Sequence, residues 1–397
     1  MTSTVFQRRG HSRGKPATSA VPNSAGTAGL PCISWRMNPA PDQRVPALDG
    51  LRGMAALMVV VSHVSNSTGL WGNLLGNGGG QVGVMIFFVL SGYLIGALYL
   101  GQPFTLANVW EYAVRRVARV VPAFYALLSL ALILRAVSDL TGWNLTIYPV
   151  TLEQSVAHYA LLSGIGVFWT IPVEMHFYAV FVAAWWLYSR SSLAMIAAAV
   201  LVIVVYWSLP VQVPQDPRTL PYYLVFFLVG LLISRVVAMR DVYPSGPLPI
   251  LAGLGFFLPF LLYPNVYAEL FGRSDWLLSG DLQQMWHDPR YPIAAGLCLV
   301  AAVRSPFIKA ALSRREMIYL GKISYSVYLL HFPVIELLLR FTSLSIHPMS
   351  FLIVTLLVTG CAASISYLLV EQPGSKLVRR AAAYIGGGAS LARVRQN

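Results

Sequence analysis

An arginine and a histidine stand eleven residues apart in one apolar run. Leu48-Asp49-Gly50-Leu51-Arg52-Gly53 leads into Met54 to Val64, and His63 is embedded near its end. At about 100° per residue, His63 returns to the bearing of Arg52, and at about 1.5 Å of rise it lies roughly 16 Å deeper. That depth is near the middle of a bilayer core about 30 Å thick. An ionisable side chain there is costly unless it faces a polar cavity or a partner, so His63 is read as a functional group. The chemistry it suits is general base catalysis, reached from the cytoplasmic side through a cleft. The bland alternative is a snorkelling arginine plus a histidine packed between helices.

Three further groups could act with it. Arg115-Arg116-Val117-Ala118-Arg119 sits at the expected cytoplasmic start of a span. Arginine forks bind phosphates bidentately, and arginines on adjacent turns suit a polyphosphate. Alone, the run is explained by positive-inside anchoring. Beside a deep histidine entered from the same side, it suits a phosphate-rich donor. In Phe168-Trp169-Thr170-Ile171-Pro172-Val173-Glu174-Met175-His176-Phe177-Tyr178, the residues Glu174, Phe177 and Tyr178 share a face. Glu174 is expected to orient His63 or to bind acceptor hydroxyls. In Gly321 to His331, the residues Ser324, Tyr328 and His331 form a polar stripe, which suits either substrate contact or a seam between helices. Glu371 and Pro373 are expected to cap and end the last helix. No Walker loop, zinc spacing or GxSxG elbow is present, and no metal is expected.

The elements that must position these groups are membrane helices. Hydrophobic residues make up 56% of the chain and charged ones 11%, where a soluble domain carries about 25% charge. Mean hydropathy is +0.63. The fold class expected is an all-α polytopic membrane protein, a bundle of about ten transmembrane helices with a central cleft. The spans are placed near 51–66, 82–100, 117–137, 168–188, 193–209, 220–239, 247–263, 291–303, 318–340 and 350–370. Basic residues gather after the even-numbered spans (Arg115, Arg116, Arg119, Arg190, Arg235, Arg240, Arg304, Lys309, Arg314 and Arg315) and in both tails. The positive-inside rule then places both termini in the cytoplasm. The same placement accounts for the net charge of +13 without nucleic acid. Cys32, Cys298 and Cys361 have no ligand spacing and no disulfide framework is expected.

Three regions follow. Residues 1–46 read as a disordered basic cytoplasmic tail, 47–375 as the transmembrane domain, and 376–397 as a basic, Gly-rich cytoplasmic tail. Trp143, Trp276 and Trp286, in the long non-cytoplasmic loops 138–167 and 264–290, suit an interfacial belt more than stacking on a sugar. No internal repeat of the kind many transporters carry is visible.

Read in order, Arg52…His63, Phe87-Phe88-Val89-Leu90-Ser91-Gly92, Arg116-x-x-Arg119, Phe168 to Glu174 with Phe177-Tyr178, Ile323-Ser324-Tyr325 with Tyr328 and His331, and Glu371-x-Pro373 resemble the integral-membrane acyltransferase-3 family. The resemblance covers residues 44–373. It implies ten core helices, a bacterial inner-membrane location, an acyl-CoA donor (commonly acetyl-CoA) and a hydroxyl acceptor on a sugar or cell-envelope glycan. It implies an essential histidine matched by His63, and the family's glutamate is in place as Glu174. It implies donor contacts at Arg52, Arg116 and Arg119. Trp169, Tyr178, Tyr328 and His331 are the expected substrate contacts. Thr170 and Pro172 stand where serines are commoner in the family. The small residues Ala55, Ala56, Gly83 and Gly92 are compatible with an acetyl group. The rival reading is a transporter or flippase of a glycan or lipid-linked sugar, with His63 and Glu174 as a proton relay.

Overall fold

Pro46 starts the first helix. Val45 before it is extended (φ −91°, ψ 101°), as a residue preceding proline prefers, and proline's missing N–H costs nothing at a helix start. Helix α1 then runs Pro46–Thr68 and stops at Gly69, whose φ of 67° closes the end in the left-handed region. The structure is a computed structural model and describes residues 45–208, 220–238, 248–272 and 282–385. The described residues fold into helices and connecting turns, with no strand among them. The tail expected over 1–46 lies almost wholly outside them.

The larger elements are α2 (Gly79–Tyr99), α3 (Leu106–Thr141), α4 (Leu152–Tyr159), α5 (Thr170–Arg190), α6 (Ser192–Ser208) and α7 (Leu220–Ala238). Short helices α8 (Leu248–Leu254), α9 (Leu258–Leu261) and α10 (Pro264–Phe271) follow. The remaining elements are α11 (Arg290–Arg304), α12 (Pro306–Leu312), α13 (Arg315–Phe341), α14 (Pro348–Ser366) and α15 (Gln372–Ile385).

Among the described residues, six helices are long and apolar enough to cross a membrane, and seven if the bent pair α11–α12 counts as one span. The ten expected apolar runs all coincide with helices, but the run near 247–263 is broken into α8 and α9, and α6 and α7 provide only shorter apolar stretches. The outer surface is apolar: Leu130, Ile133, Leu201, Val204, Ile353 and Leu357 are all exposed. A soluble protein would cover such a surface, and a bilayer solvates it.

Close helix crossings hold the interior, and two of them bear on the site. On α2, Gly92 meets the carbonyl of Phe227 on α7 so tightly that an added Cβ would lie 2.0 Å from its oxygen. On α13, Gly321 meets α1, where an added Cβ would lie 1.9 Å from the carbonyl oxygen of Asp49. In lipid, helices gain from packing rather than from expelling water, so small residues at crossings set how near two backbones come. Gly83 and Gly92, expected beside the acyl group, therefore act as spacers: Gly83 faces the Ala55 carbonyl and neither lines the cavity described below.

Two boundaries differ from expectation. Helix α3 starts at Leu106, where the Thr105 side chain accepts from Asn108 N at 3.2 Å, so Arg115, Arg116 and Arg119 lie within the helix and not before it. Pro373 does not end the last span. Residues Tyr367–Glu371 form a turn of π-helix that leads directly into α15. A π turn widens the ladder locally, which lets the chain continue past a proline that lacks its N–H. The helix consequently extends to Ile385, through the first ten residues of the expected tail.

Candidate functional site

Helices α1, α2, α3, α5 and α13 enclose a cavity of about 730 Å³, measured with its open mouth. Arg52 comes from α1, Phe87, Phe88 and Ser91 from α2, and Arg116, Arg119 and Val120 from α3. Thr170, Glu174 and Tyr178 come from α5, and Ser324, Tyr325 and Tyr328 from α13. The spacings that put Arg116 with Arg119 and Glu174 with Tyr178 on single faces explain why each helix delivers its polar residues together.

The cavity is polar at fixed points. Glu174 accepts the hydroxyl of Ser91 at 3.0 Å and also the hydroxyl of Tyr178. Tyr328 donates to the Val167 carbonyl at 3.0 Å and receives the Thr170 hydroxyl at 3.2 Å. Tyr325 donates to the Val120 carbonyl at 2.8 Å. Arg52 pairs with Asp49 at 3.1 Å, one turn back on the same helix. Arg116 lies against three aromatic rings, 5.7 Å from Tyr99, 5.9 Å from Tyr112 and 5.8 Å from Tyr178. Its buried Nε has no hydrogen-bond partner. The rings' negative faces favour the cation, and the unpartnered Nε is the group left for an anion.

His63 does not line this cavity. Its ring faces His331, with centroids 5.1 Å apart, and Phe332 at 6.1 Å. His331 is fully buried, and its Nδ1 lies 2.6 Å from the Tyr328 carbonyl. A carbonyl accepts only, so Nδ1 carries the proton and Nε2 keeps its lone pair. That Nε2 is buried without a partner. Tyr328, whose ring is 5.7 Å from that of His331, connects the histidine pair with the cavity wall.

The expected groups thus fall into two neighbouring sets. Arg52, Arg116, Arg119, Glu174, Tyr178 and Tyr328 meet in the cavity, and His63 and His331 meet beside it. Glu174 was expected to orient His63 or to bind acceptor hydroxyls; its hydroxyl partners are Ser91 and Tyr178, and the ring next to His63 is His331. Trp169 was expected to touch substrate. It packs instead at 4.8 Å on Tyr223 and edge-on to Phe88 and Trp286, away from the cavity lining. Trp286 was expected in an interfacial belt, but the turn Leu282–Trp286 dips inward and buries it among these aromatics. Trp143 is exposed, and Trp276 lies outside the described residues.

Sequence reasoning passed over Ser91 and the rings of Tyr99 and Tyr112. Ser91 stands one residue before a spacer glycine in an otherwise apolar run, which was its signal. The cage around Arg116 is assembled from three helices, and no local pattern announces it. Among the described residues, no group of three or more His, Cys, Asp or Glu could hold a metal ion.

Known proteins with similar sequences share most of this chain. It is 25% identical over 365 residues to YrhL of Bacillus subtilis (strain 168), across 83% of this chain and 54% of that protein. It is 24% identical over 368 residues to the peptidoglycan O-acetyltransferase OatA of Listeria monocytogenes, across 83% of this chain and 55% of that protein. With the O-acetyltransferase OatA of Staphylococcus aureus (strain NCTC 8325 / PS 47) it shares 23% over 376 residues, 86% of this chain and 59% of the relative. The chain therefore spans little more than half the length of these relatives. No solved structure matches it. Residues 45–371, which contain both sets of site residues, match the acyltransferase-3 family model, an acyltransferase domain. On that match the chain belongs to the acyltransferase-3 family.

Proposed function

We propose that this chain is a membrane-embedded O-acyltransferase that moves an acyl group, acetyl by preference, from acyl-CoA to a hydroxyl of a cell-envelope glycan. The observation that carries this reading is a cavity with three arginines and one glutamate in its wall, flanked by a pair of histidines. The names of the relatives from Listeria and Staphylococcus support the acetyl group, and the first supports a peptidoglycan-type acceptor.

In this reading the donor's phosphates lie against Arg116 and Arg119, and against Arg52. The thioester extends toward Tyr328 and the histidine pair. His63 takes the proton from the acceptor hydroxyl, and the freed oxygen pair attacks the thioester carbonyl. The tetrahedral intermediate collapses with cleavage of the C–S bond. The coenzyme A thiolate leaves and takes the proton back from His63. His331, with Nε2 unprotonated, accepts a hydrogen bond in the complex from the His63 ring or from the acceptor hydroxyl. Glu174, held by Ser91 and Tyr178, binds sugar hydroxyls at the cavity wall. The bundle has ten spans with both termini cytoplasmic, counting the shorter and broken helices as spans beside the six long ones, and sits in the bacterial inner membrane.

The experiment is release of free coenzyme A from acetyl-CoA by the purified protein with a muropeptide acceptor, wild type against His63→Ala. General base catalysis is worth about 10²- to 10⁴-fold, so the variant should lose nearly all turnover while still binding coenzyme A. Wild-type turnover by the variant would remove His63 from the mechanism.

A further inference from the structure

The C-terminal helix α15 brings a guanidinium to the arginine wall from outside the family match. That match ends at residue 371, and α15 spans Gln372–Ile385. The helix lies along α3. The two helices touch at Gly374, where an added Cβ would sit 2.4 Å from Cβ of Pro122, so a glycine lets them come this near. From that contact the helix carries Arg379 to the stretch of α3 that holds Arg115 and Arg116, and Arg379 feels the positive charge of both.

Arg115, Arg116 and Arg379 thus share the region where α15 lies along α3. Glu111 pairs with Arg115, its neighbour one turn back on α3. Arg116 is held by aromatic faces, which leave its Nε without a partner. Arg379 also has a buried Nε with no partner. Like charges held together with unfilled donors are unfavourable in the empty protein, and an anion with several acceptor oxygens would relieve both problems at once. A phosphomonoester has the required charge and three acceptor oxygens. Lys376 and Arg380 on the same helix are exposed and suit the surface of the bilayer, whereas Arg116 also lines the cavity. An anion shared by Arg116 and Arg379 would therefore adjoin the cavity.

We propose that Arg379, with Arg115 and Arg116, forms a phosphate subsite beside the cavity that takes the 3′-phosphate of the acyl-CoA donor. The proposal rests on the donor assignment made above.

The test is binding of coenzyme A and of 3′-dephospho-coenzyme A to the full chain in nanodiscs of neutral phosphatidylcholine. Wild type is compared with Arg379→Gln and with Lys376→Gln as a control on the same helix. Wild type should prefer coenzyme A. Arg379→Gln should weaken coenzyme A about 10- to 100-fold, the range for a charge-assisted hydrogen bond, and leave the dephospho form unchanged. Lys376→Gln should leave both affinities unchanged. Equal loss of both forms, or no loss of either, would overturn the subsite while the donor assignment stood. Failure of wild type to bind either form would overturn the donor assignment and the subsite with it. If Arg379→Gln changed only the stabilisation given by phosphatidylglycerol discs, the phosphate would belong to a lipid headgroup and the proposal would fall.

Discussion

Replacing Gly321 by alanine should damage the site from a distance, because Gly321 sets the separation of the two helices that carry its outer and inner ends. An added Cβ would lie 1.9 Å from the Asp49 carbonyl oxygen, where ordinary contact begins at 3.4 Å. The shortfall, 3.4 less 1.9, is 1.5 Å. The obstruction is backbone, so no side chain can swing aside, and α1 must shift or tilt away from α13. Asp49 holds Arg52 at 3.1 Å in the cavity wall, and further along the same helix pair His63 and His331 stand with ring centroids 5.1 Å apart. A displacement of that size disturbs both. Alanine is the better helix former by about 1 kcal/mol, while overpacking costs about 1–3 kcal/mol, so the net stability change is a modest loss. The effect on rate should be larger, since misplacement by about 1 Å costs about 10²-fold in a positioned reaction. The assays are thermal unfolding in detergent and coenzyme A release per folded protein. Gly360→Ala is the control, because nothing lies within 4 Å of its added Cβ. That variant should match wild type or exceed it slightly in stability. If Gly321→Ala behaved like Gly360→Ala in both assays, the argument from the helix crossing to the site would be wrong.

Two other substitutions separate the parts of the site. Tyr178→Phe removes the hydroxyl that donates to Glu174 but keeps the ring beneath Arg116. Acyl transfer should fall about 10- to 100-fold, the range for a bond to a charged group, while isothermal titration finds coenzyme A affinity within about twofold of wild type. An affinity loss matching the rate loss would place Tyr178 with the donor and not with the acceptor. His331→Phe keeps a buried ring and removes the Nε2 lone pair beside His63. Turnover should drop at least about tenfold with a nearly unchanged melting temperature; unchanged turnover would leave His331 a packing residue.

What could be read in advance was what one helix carries on one face. Arg116 with Arg119, and Glu174 with Tyr178, follow from three- and four-residue spacing, and both pairs reach the cavity. Which residue from a distant helix completes a group is set by tertiary packing. The sequence offered Glu174 as a partner for His63, whereas the crossing of α1 with α13 at Gly53 and Gly321 brings His331 to it. Glycine in an apolar run gives no sign of whether it spaces helices or makes room for a ligand, and Gly83 and Gly92 proved to be spacers. Hydropathy placed its ten runs on helices, but it measures composition and not continuity, so a run broken at 255–257 looked like one span. Pro373 misled for a related reason: a proline ends a regular α ladder, and the π turn before it is not visible in residue types.

The separation of the two sets of residues has a chemical logic. A polyphosphate needs arginines that stay charged and reachable from water, and such groups hold their hydration only near an open mouth. A general base works best when unprotonated and shielded, away from competing water that would hydrolyse a thioester. Placing both in one chamber would bathe the histidine in the same water and repel its protonated form by three guanidiniums. Here the arginines and Glu174 occupy the cavity wall, while His331 packs beside Tyr328 and the half-buried His63 packs beside His331. Tyr328 is held at its hydroxyl by the Val167 carbonyl and by Thr170, so it is a fixed partition and not a swinging one. In the proposed reaction, an acyl chain that approaches the histidines from the cavity meets this ring, which would limit its girth. The site should therefore accept acetyl readily and branched or long acyl groups poorly, and Tyr328→Ala should widen the range of donors at the expense of faster thioester hydrolysis. Acyl-chain competition measured with acetyl-, butyryl- and octanoyl-CoA checks this, and a wild-type enzyme indifferent to chain length would refute the partition.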